Sequence, residues 1–343
     1  MTLGALLARF LLAAVIVIAT GTVLARSGDV IAARTRLGGA WIGSVFLALA
    51  TSLPEIITDI AAVRLGAIDL AVGDLMGSSM ANMLILALIS LAPAGVDMFR
   101  RAALDHALYA CLAISMTVLA SLGIMVQSSL SVGGVGVWSL LIVITYAITS
   151  SIAFRSSAVA RAAGEVTEMS GTGTSEPAGA VSHTPPMTLA RALLMFTGAA
   201  LVIVLVAPQF ATAAEGLAVV SGVGHTFMGT WLVGLSTSLP ELVTSMAAVR
   251  LRAYDLAVGN LFGSNAINMT IFALLDPFHD RPLFAVASGD HVLTALVAVV
   301  LMTIALGALV LRTRRAAVRE PGSVLMVLGY VAGIALLYWR SVG

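Results

Sequence analysis

The oxygen-bearing residues best placed for chemistry occur twice. The string TSLPE begins at Thr51 and again at Thr237. Thr51 and Ser52 stand four and three residues before Glu55, and Thr237 and Ser238 stand likewise before Glu241. In a helix each trio therefore shares a face. Ser78 and Asn82 follow as an i, i+4 pair, matched by Ser264 and Asn268. Pro54 and Pro240 have no N–H and clash with the preceding turn, which frees the carbonyls of Ala50 and Ser236. Freed carbonyls at membrane depth are tolerated where they line a cavity or coordinate a cation. The inventory is hydroxyl, amide, carboxylate and carbonyl oxygen, with no imidazole or thiol. Hard oxygen donors, suited to roughly six to eight ligands, select Ca²⁺ or Na⁺ over zinc or copper. An anionic substrate would require Arg or Lys, and neither lies inside these segments.

The elements that carry these residues are membrane helices. Of 343 residues, 59% are hydrophobic and 10% are charged, against roughly 25% charged in a soluble domain. That excludes a soluble enzyme, a nucleic-acid binder and a disordered chain. Apolar stretches run approximately over 5–25, 40–63, 70–93, 104–126 and 134–154, then over 190–210, 227–249, 256–275, 291–311 and 323–339. They are continuous and match the about 20 residues of a helical span. Porin strands would alternate apolar and polar in segments of about 10. Glu55 and Glu241 fall near the middle of their spans, where an ionised group costs at least about 2.5–3.5 kcal/mol and normally faces a cavity, a partner or an ion. Residues 155–188 form the one long polar stretch, with Glu165, Glu168, Glu176 and a Gly/Ser/Thr-rich run. This composition predicts a flexible linker between a first unit (1–154) and a second (189–343). It lacks the acidic clusters of a Ca²⁺-sensing domain.

Shifted by 186 residues, the sequence overlays itself without a gap. Between 41–88 and 227–274, 27 of 48 positions are identical, including Pro54/Pro240, Glu55/Glu241, Gly73/Gly259, Gly77/Gly263, Ser78/Ser264 and Asn82/Asn268. Chance likeness of two apolar helices would share only Leu, Ala and Val, so this is a duplication. Each half has five spans, an odd number, so the second half enters the membrane the other way up. Inverted halves are the signature of secondary transporters, with the substrate site at the midplane between them. The expected architecture is therefore all-α and integral to the membrane: ten transmembrane helices as two inverted five-helix repeats. With the N-terminus outside, connections after odd-numbered spans hold fourteen Arg and the other side four. That bias puts both termini outside and the linker in the cytoplasm. Arg9 argues the other way and gives residues 1–25 some likeness to a signal peptide, although no small-residue cleavage site follows.

Other residues read as structural. Gly73/Gly77 and Gly259/Gly263 have the spacing that lets helices approach closely. Asp69 and Asp255 open helices and are expected as N-caps. Arg64 and Arg250 close helices near opposite interfaces, where they complement the dipole or snorkel. His106, His183, His225, His279 and His291 fall near span ends or in connections, which predicts surface or headgroup positions. Cys111, the one thiol, can form no internal disulfide and is expected packed in a helix.

TSLPE followed by GDLMGSSMAN, and TSLPE followed by GNLFGSNAIN, resemble the two signature repeats of the sodium/calcium exchanger family. The likeness is most specific over 43–88 and 229–274. It implies an electrogenic antiporter that moves Ca²⁺ one way and Na⁺ the other by sliding its first and sixth helices past a fixed bundle. It implies ion ligands at Thr51, Ser52, Glu55, Ser78 and Asn82, and at Thr237, Ser238, Glu241, Ser264 and Asn268. It also implies the main-chain carbonyls of Ala48 and Gly234. No cofactor is expected beyond the transported Ca²⁺ and Na⁺, and no partner beyond the lipid bilayer, nucleic acid included. The lean linker suggests a prokaryotic inner-membrane protein.

Two departures stand out. Many members of that family have Asp at one of the positions that are Asn82 and Asn268 here, so this centre keeps two carboxylates rather than three. The usual Asn of the first GN pair is Asp74, one turn before Ser78. Asp59, one turn after Glu55, is matched by Ser245. Each of these Asp residues is either an extra acidic group at the mouth of the site or a solvated or hydrogen-bonded one. Two buried carboxylates are too costly to reorient unpaired, so the empty carrier should be trapped until one Ca²⁺ or several Na⁺ neutralise it. Protons could do the same, which leaves a Ca²⁺/H⁺ exchanger on this fold as the alternative. A cation channel, from a different class, would need a continuous pore. An intramembrane enzyme lacks support, since no Ser/His or paired-Asp constellation accompanies the repeats.

Overall fold

The computed structural model describes all residues except 1–2, 36–38, 103–104, 170–186, 221–233, 236, 312–320 and 343. Helix α1 (Leu3–Thr35) opens the first half. The next span is broken: α2 (Gly39–Trp41) passes into a π-helical stretch (Ile42–Leu47) and α3 (Ala48–Thr51). It then bends by 44° into α4 (Leu53–Arg64). Helices α5 (Ile68–Leu91), α6 (Met98–Arg101), α7 (His106–Val126) and α8 (Val137–Met169) follow. The second half holds α9 (Leu189–Val220), α10 (Leu239–Arg250), α11 (Tyr254–Leu275), α12 (His291–Leu311) and α13 (Pro321–Val342). A small hairpin pairs β1 (Ser131–Val132) with β2 (Val135–Gly136). It turns on Gly133 and Gly134, both at positive φ, the conformation its two-residue loop demands.

Among the described residues, seven helices are long and apolar enough to cross a bilayer and the bent pair makes an eighth. The head of α8, Val137–Ala153, is a shorter apolar helix. Helix α10 is the described part of the remaining expected span, 227–249, whose opening lies outside the described residues. Helix α8 continues past residue 154 to Met169, so a helix occupies the opening of the stretch expected as linker; 170–186 lie outside the described residues.

The two repeats are interlocked. Helix α5 packs against α12 and α13, and its counterpart α11 packs against α7 and α8. Each central helix is thus enclosed by the closing helices of the other half. Both carry apolar residues all round, as a fully surrounded helix does, with the polar residues of the site among them, and 83% of their apolar windows is buried. Helices α1 and α9 lie outside, packed on each other, with α1 against α10 and α9 against α4. Arg9 ties them by donating to Gln209 Oε1, and Arg34 donates to the carbonyl of Met187, just before α9, at 3.2 Å. Only 18% of the α1 window is buried; Leu7, Leu11, Leu12, Leu194, Leu201 and Leu205 point outward, the surface that a lipid environment requires.

Three expectations need correction. The N-caps of α5 and α11 are Ala67 and Ala253, with no side-chain cap. Asp69 instead faces His291 at 3.1 Å and accepts from the Ser288 N–H at 2.8 Å, and Asp255 faces His106 at 3.0 Å. A charge near a helix start found a partner across the repeat boundary that outcompeted its own turn. His106 is consequently fully buried rather than at the surface, whereas His183 and His225 lie outside the described residues. Cys111 sits on the exposed face of α7 rather than packed inside.

Candidate cation site

The site is built where the broken span of the first half, and α10 with the residues just before it, meet the two central helices. Helix α4 begins at Leu53 with Pro54 in its first turn, so Pro54 sets the start of the helix that carries Glu55. Ser52 sits between α3 and α4 at φ −85°, ψ 1°, and Ser238 sits before α10 at φ −78°, ψ 6°. Neither caps with its side chain, so both hydroxyls remain available. The carbonyl of Ser236, expected to be freed by Pro240, lies outside the described residues.

Close backbone contact brings α11 to the π-helical stretch. A Cβ on Gly263 would fall on the Ser44 backbone, and one on Gly259 would stand 2.8 Å from the Ala40 carbonyl. The small-residue spacing therefore serves this approach. On the other side, a Cβ on Gly234 would come within 3.2 Å of the Gly77 and Ser78 backbone. The π-helical stretch has no counterpart in the sequence reading; such bulges recur at functional sites.

All ten side-chain positions expected as ligands are at most 1% exposed: Thr51, Ser52, Glu55, Ser78, Asn82, Thr237, Ser238, Glu241, Ser264 and Asn268. Five of them, Thr51, Ser264, Glu241, Thr237 and Ser78, lie on two matching flanks. On one, Thr51 Oγ1 donates to the Ala48 carbonyl at 3.2 Å and to Asn260 Oδ1 at 3.3 Å, and lies 3.4 Å from Ser264 Oγ. Ser264 in turn donates to Glu241 Oε1 at 3.4 Å. On the other, Thr237 Oγ1 lies 3.2 Å from the Gly234 carbonyl, 3.0 Å from Asp74 Oδ1 and 3.2 Å from Ser78 Oγ. Ser78 Oγ also reaches the Gly234 carbonyl and Asp74 Oδ1, each at 3.4 Å. Each flank thus joins the Thr of one half's TSLPE string to a Ser and an Asn or Asp on the other half's central helix. Between the central helices, Asn82 Nδ2 donates to Asn265 Oδ1 at 2.9 Å, and Asn265 Nδ2 donates to the Ser79 carbonyl at 3.3 Å.

Several oxygens at this centre meet no donor: Glu55 Oε2, Glu241 Oε2, Ser52 Oγ, Ser238 Oγ and Asn82 Oδ1, together with both polar atoms of Asn268. Glu55 lies close enough to Glu241, Asp74 and Asp59 for their charges to repel. A buried polar atom without a partner is costly, and a concentration of acceptors without donors is what a cation would relieve. Asp59 and Asp74 are each 1% exposed, so neither is solvated at a mouth. They lie within hydrogen-bond reach of each other, an Asp pair that the sequence reading did not foresee.

Residues absent from the expected ligand set also belong to this network. Asn260 donates to Thr244 Oγ1 at 3.2 Å and to Ser245 Oγ at 3.0 Å while accepting from Thr51. Its alignment with Asp74 was the available signal. Asn265 aligns with Ser79, and this mismatch hid it from a search for identical repeat positions.

Comparison with known proteins gives a consistent picture. A family model described as sodium/calcium exchanger protein matches residues 5–163 and 191–339. The inner membrane protein YrbG of Escherichia coli (strain K12) is 28% identical over 314 residues, covering 88% of this chain and 86% of that one. The sodium/calcium exchanger MaX1 of Methanosarcina acetivorans is 46% identical over 54 residues, 16% of this chain and 15% of its own. A structure of the sodium-calcium exchanger NCX_Mj soaked with 100 mM Na⁺ and 10 mM Sr²⁺ superposes with a TM-score of 0.70 at 19% identity, covering 97% of this chain and 99% of that one. A second, soaked with zero Na⁺ and Ca²⁺, gives 0.66 at 19% identity over 98% and 100%.

Proposed function

The chain belongs to the sodium/calcium exchanger protein family, whose model spans both of its halves, and on that premise we propose that it exchanges Ca²⁺ for Na⁺ by alternating access at a midplane site. The carrying observation is the pair of buried glutamates, Glu55 and Glu241, one from each repeat, each with an oxygen that meets no donor. The ligands in this reading are Thr51, Ser52, Glu55, Ser78 and Asn82, with Thr237, Ser238, Glu241, Ser264 and Asn268, and the carbonyls of Ala48 and Gly234. These are hard oxygen donors, the chemistry of Ca²⁺ and Na⁺. The relatives described as sodium/calcium exchangers support the same pair of ions.

Coupling follows from charge. Reorienting the site with two unneutralised carboxylates would carry fixed charge through a low-dielectric region. The step is therefore open only when one Ca²⁺ or several Na⁺ are bound. Helices α1 and α9 move as the sliding pair, because they pack on each other and, in turn, on α10 and α4. In the membrane both termini are outside and the 155–188 segment between the repeats is cytoplasmic, as the arginine distribution requires. The location is a cell inner membrane, supported by the likeness to an inner membrane protein.

The test is radiolabelled Ca²⁺ uptake into proteoliposomes, driven by an outward Na⁺ gradient and, separately, by a proton gradient, with Glu55→Gln as the inactive control. Uptake with Na⁺ alone supports the proposal. Uptake with protons alone replaces Na⁺ by H⁺ as the coupling ion, the change that Asn at both 82 and 268 makes worth testing. Flux with neither gradient, lost in the variant, overturns exchange in favour of a channel.

A further inference from the structure

Asp59 on α4 and Asp74 on α5 face each other next to Glu55, and no contact described so far gives them a role. Each is 1% exposed and the two carboxyls lie within hydrogen-bond reach. Neither oxygen of Asp59 meets a donor, nor does Oδ2 of Asp74. Asp74 Oδ1 alone is engaged, by Thr237 at 3.0 Å and Ser78 at 3.4 Å. Among the described residues, every ion pair lies elsewhere: Arg100 and Arg101 with Asp97, His106 with Asp255, His291 with Asp69, and Arg340 with Asp290. Among the described residues, no side-chain cation neutralises this pair.

The second repeat supplies an internal control. The same two positions there are Ser245 on α10 and Asn260 on α11, and Asn260 Nδ2 donates to Ser245 Oγ at 3.0 Å. The duplicated backbone therefore brings these positions together in both halves. In one half a donor meets an acceptor. In the other, two acceptors meet and something positive must lie between them, because leaving two buried carboxylates unpaired costs several kcal/mol for each.

We propose that Asp59 and Asp74 form a further cation site, peculiar to the first repeat, that takes a hard cation, Na⁺ or Ca²⁺, beside the one held between Glu55 and Glu241. A shared proton would engage one oxygen of each carboxyl and leave the second oxygen of Asp59 without a partner. A cation can be bound by both oxygens of Asp59 and the free oxygen of Asp74 at once, and such all-oxygen coordination is the kind hard cations take. Thr237 and Ser78 hold Asp74 Oδ1 in place and thereby couple this site to the flank that contains the Gly234 carbonyl. The inference rests on the exchange reading only for the class of ion.

The experiment is equilibrium binding of radiolabelled Ca²⁺ and of radiolabelled Na⁺ to the purified full-length protein in detergent. Wild type is compared with the double variant D59S/D74N and with E241Q. The double variant installs the residues of the second repeat, which satisfy each other there. D59N, nearly isosteric, repeats the measurement should the double variant fail to fold. The expected result is one cation fewer at saturation in D59S/D74N and D59N for one of the two labels, and that label identifies the ion. Unchanged saturation and midpoints for both labels overturn the proposal, as does release of a proton with no change in bound cation. Binding unaffected by E241Q would instead overturn the central-site reading, so the two failures are distinguishable.

Discussion

Where α10 meets α11, Asn260 donates to Ser245 at 3.0 Å and to Thr244 at 3.2 Å, and the contact is neutral. Where α4 meets α5, the same two positions set Asp59 against Asp74 with no donor between them. The flanks differ in the same way: Thr51 donates to Asn260 in one and Thr237 to Asp74 in the other. Duplication preserved the geometry and let the charge diverge. An inverted repeat can therefore present two sites of one shape and two affinities, which a carrier facing two sides with unequal ion concentrations could exploit.

The largest expected effects come from the glutamates. Replacing Glu241 by Gln leaves no carboxylate on its flank. Replacing Glu55 by Gln still leaves Asp74 and Asp59 close by. Both variants should lose Na⁺-driven Ca²⁺ uptake, since breaking a buried charge interaction costs about 2–5 kcal/mol, or roughly thirtyfold or more in affinity. Residual Ca²⁺ binding should nevertheless be stronger in Glu55→Gln than in Glu241→Gln. Titrations that superpose would remove any compensating role for the aspartates.

Next in size are the glycines that let the halves touch. Gly263→Ala sets a Cβ against the Ser44 backbone, and backbone cannot rotate away. We expect destabilisation of about 1–3 kcal/mol, measured as a lower melting temperature in detergent. Gly234→Ala meets the Gly77 and Ser78 backbone at 3.2 Å, a contact that a shift of a few tenths of an ångström relieves, and should cost less. Equal losses would mean that the π-helical stretch yields as readily as a regular helix.

Asn260→Asp brings the charge of the first repeat into the second. The hydroxyls of Thr244 and Ser245 can donate as well as accept, so the added carboxylate can be accommodated. The expected outcome is cation binding on that flank tighter by about tenfold, read in the same titrations. Unchanged affinity would locate the asymmetry in Asp59 rather than in the Asp74 position.

The sequence disclosed most of this architecture because its information was repeated. Ten apolar stretches, a shift of 186 and paired TSLPE strings define the order of elements, and the ten positions expected as ligands are all buried. What escaped was of two kinds. The π-helical stretch at Ile42–Leu47 has no residue signature, since it arises from packing against α11. Asn265, the Asp59–Asp74 pair and the His–Asp contacts join different helices, and no periodicity along one helix can reveal them. Asp74 reads either as an acidic group at the mouth or as a solvated or hydrogen-bonded residue; the structure buries it, hydrogen-bonded to Thr237 of the other repeat.

The smallest expected effect concerns the two His–Asp ties, one at the start of each central helix. Asp255 on α11 faces His106, which is fully buried, at 3.0 Å, with the Asp side chain 40% exposed. Asp69 on α5 faces His291 at 3.1 Å, with the Asp side chain 61% exposed, and also accepts from the Ser288 N–H. A hydrogen bond to a buried partner contributes about 1 kcal/mol because its loss leaves that partner unsatisfied. An exposed pair contributes a few tenths, up to about 1 kcal/mol, since water replaces it. Asp255→Leu should therefore lower the detergent melting temperature more than Asp69→Leu, although Asp69 also accepts from the Ser288 N–H. The opposite order would mean that the Ser288 contact, which ties the loop before α12 to α5, outweighs burial of the histidine. The two central helices would then be anchored by different physics at equivalent positions, as their cation sites are.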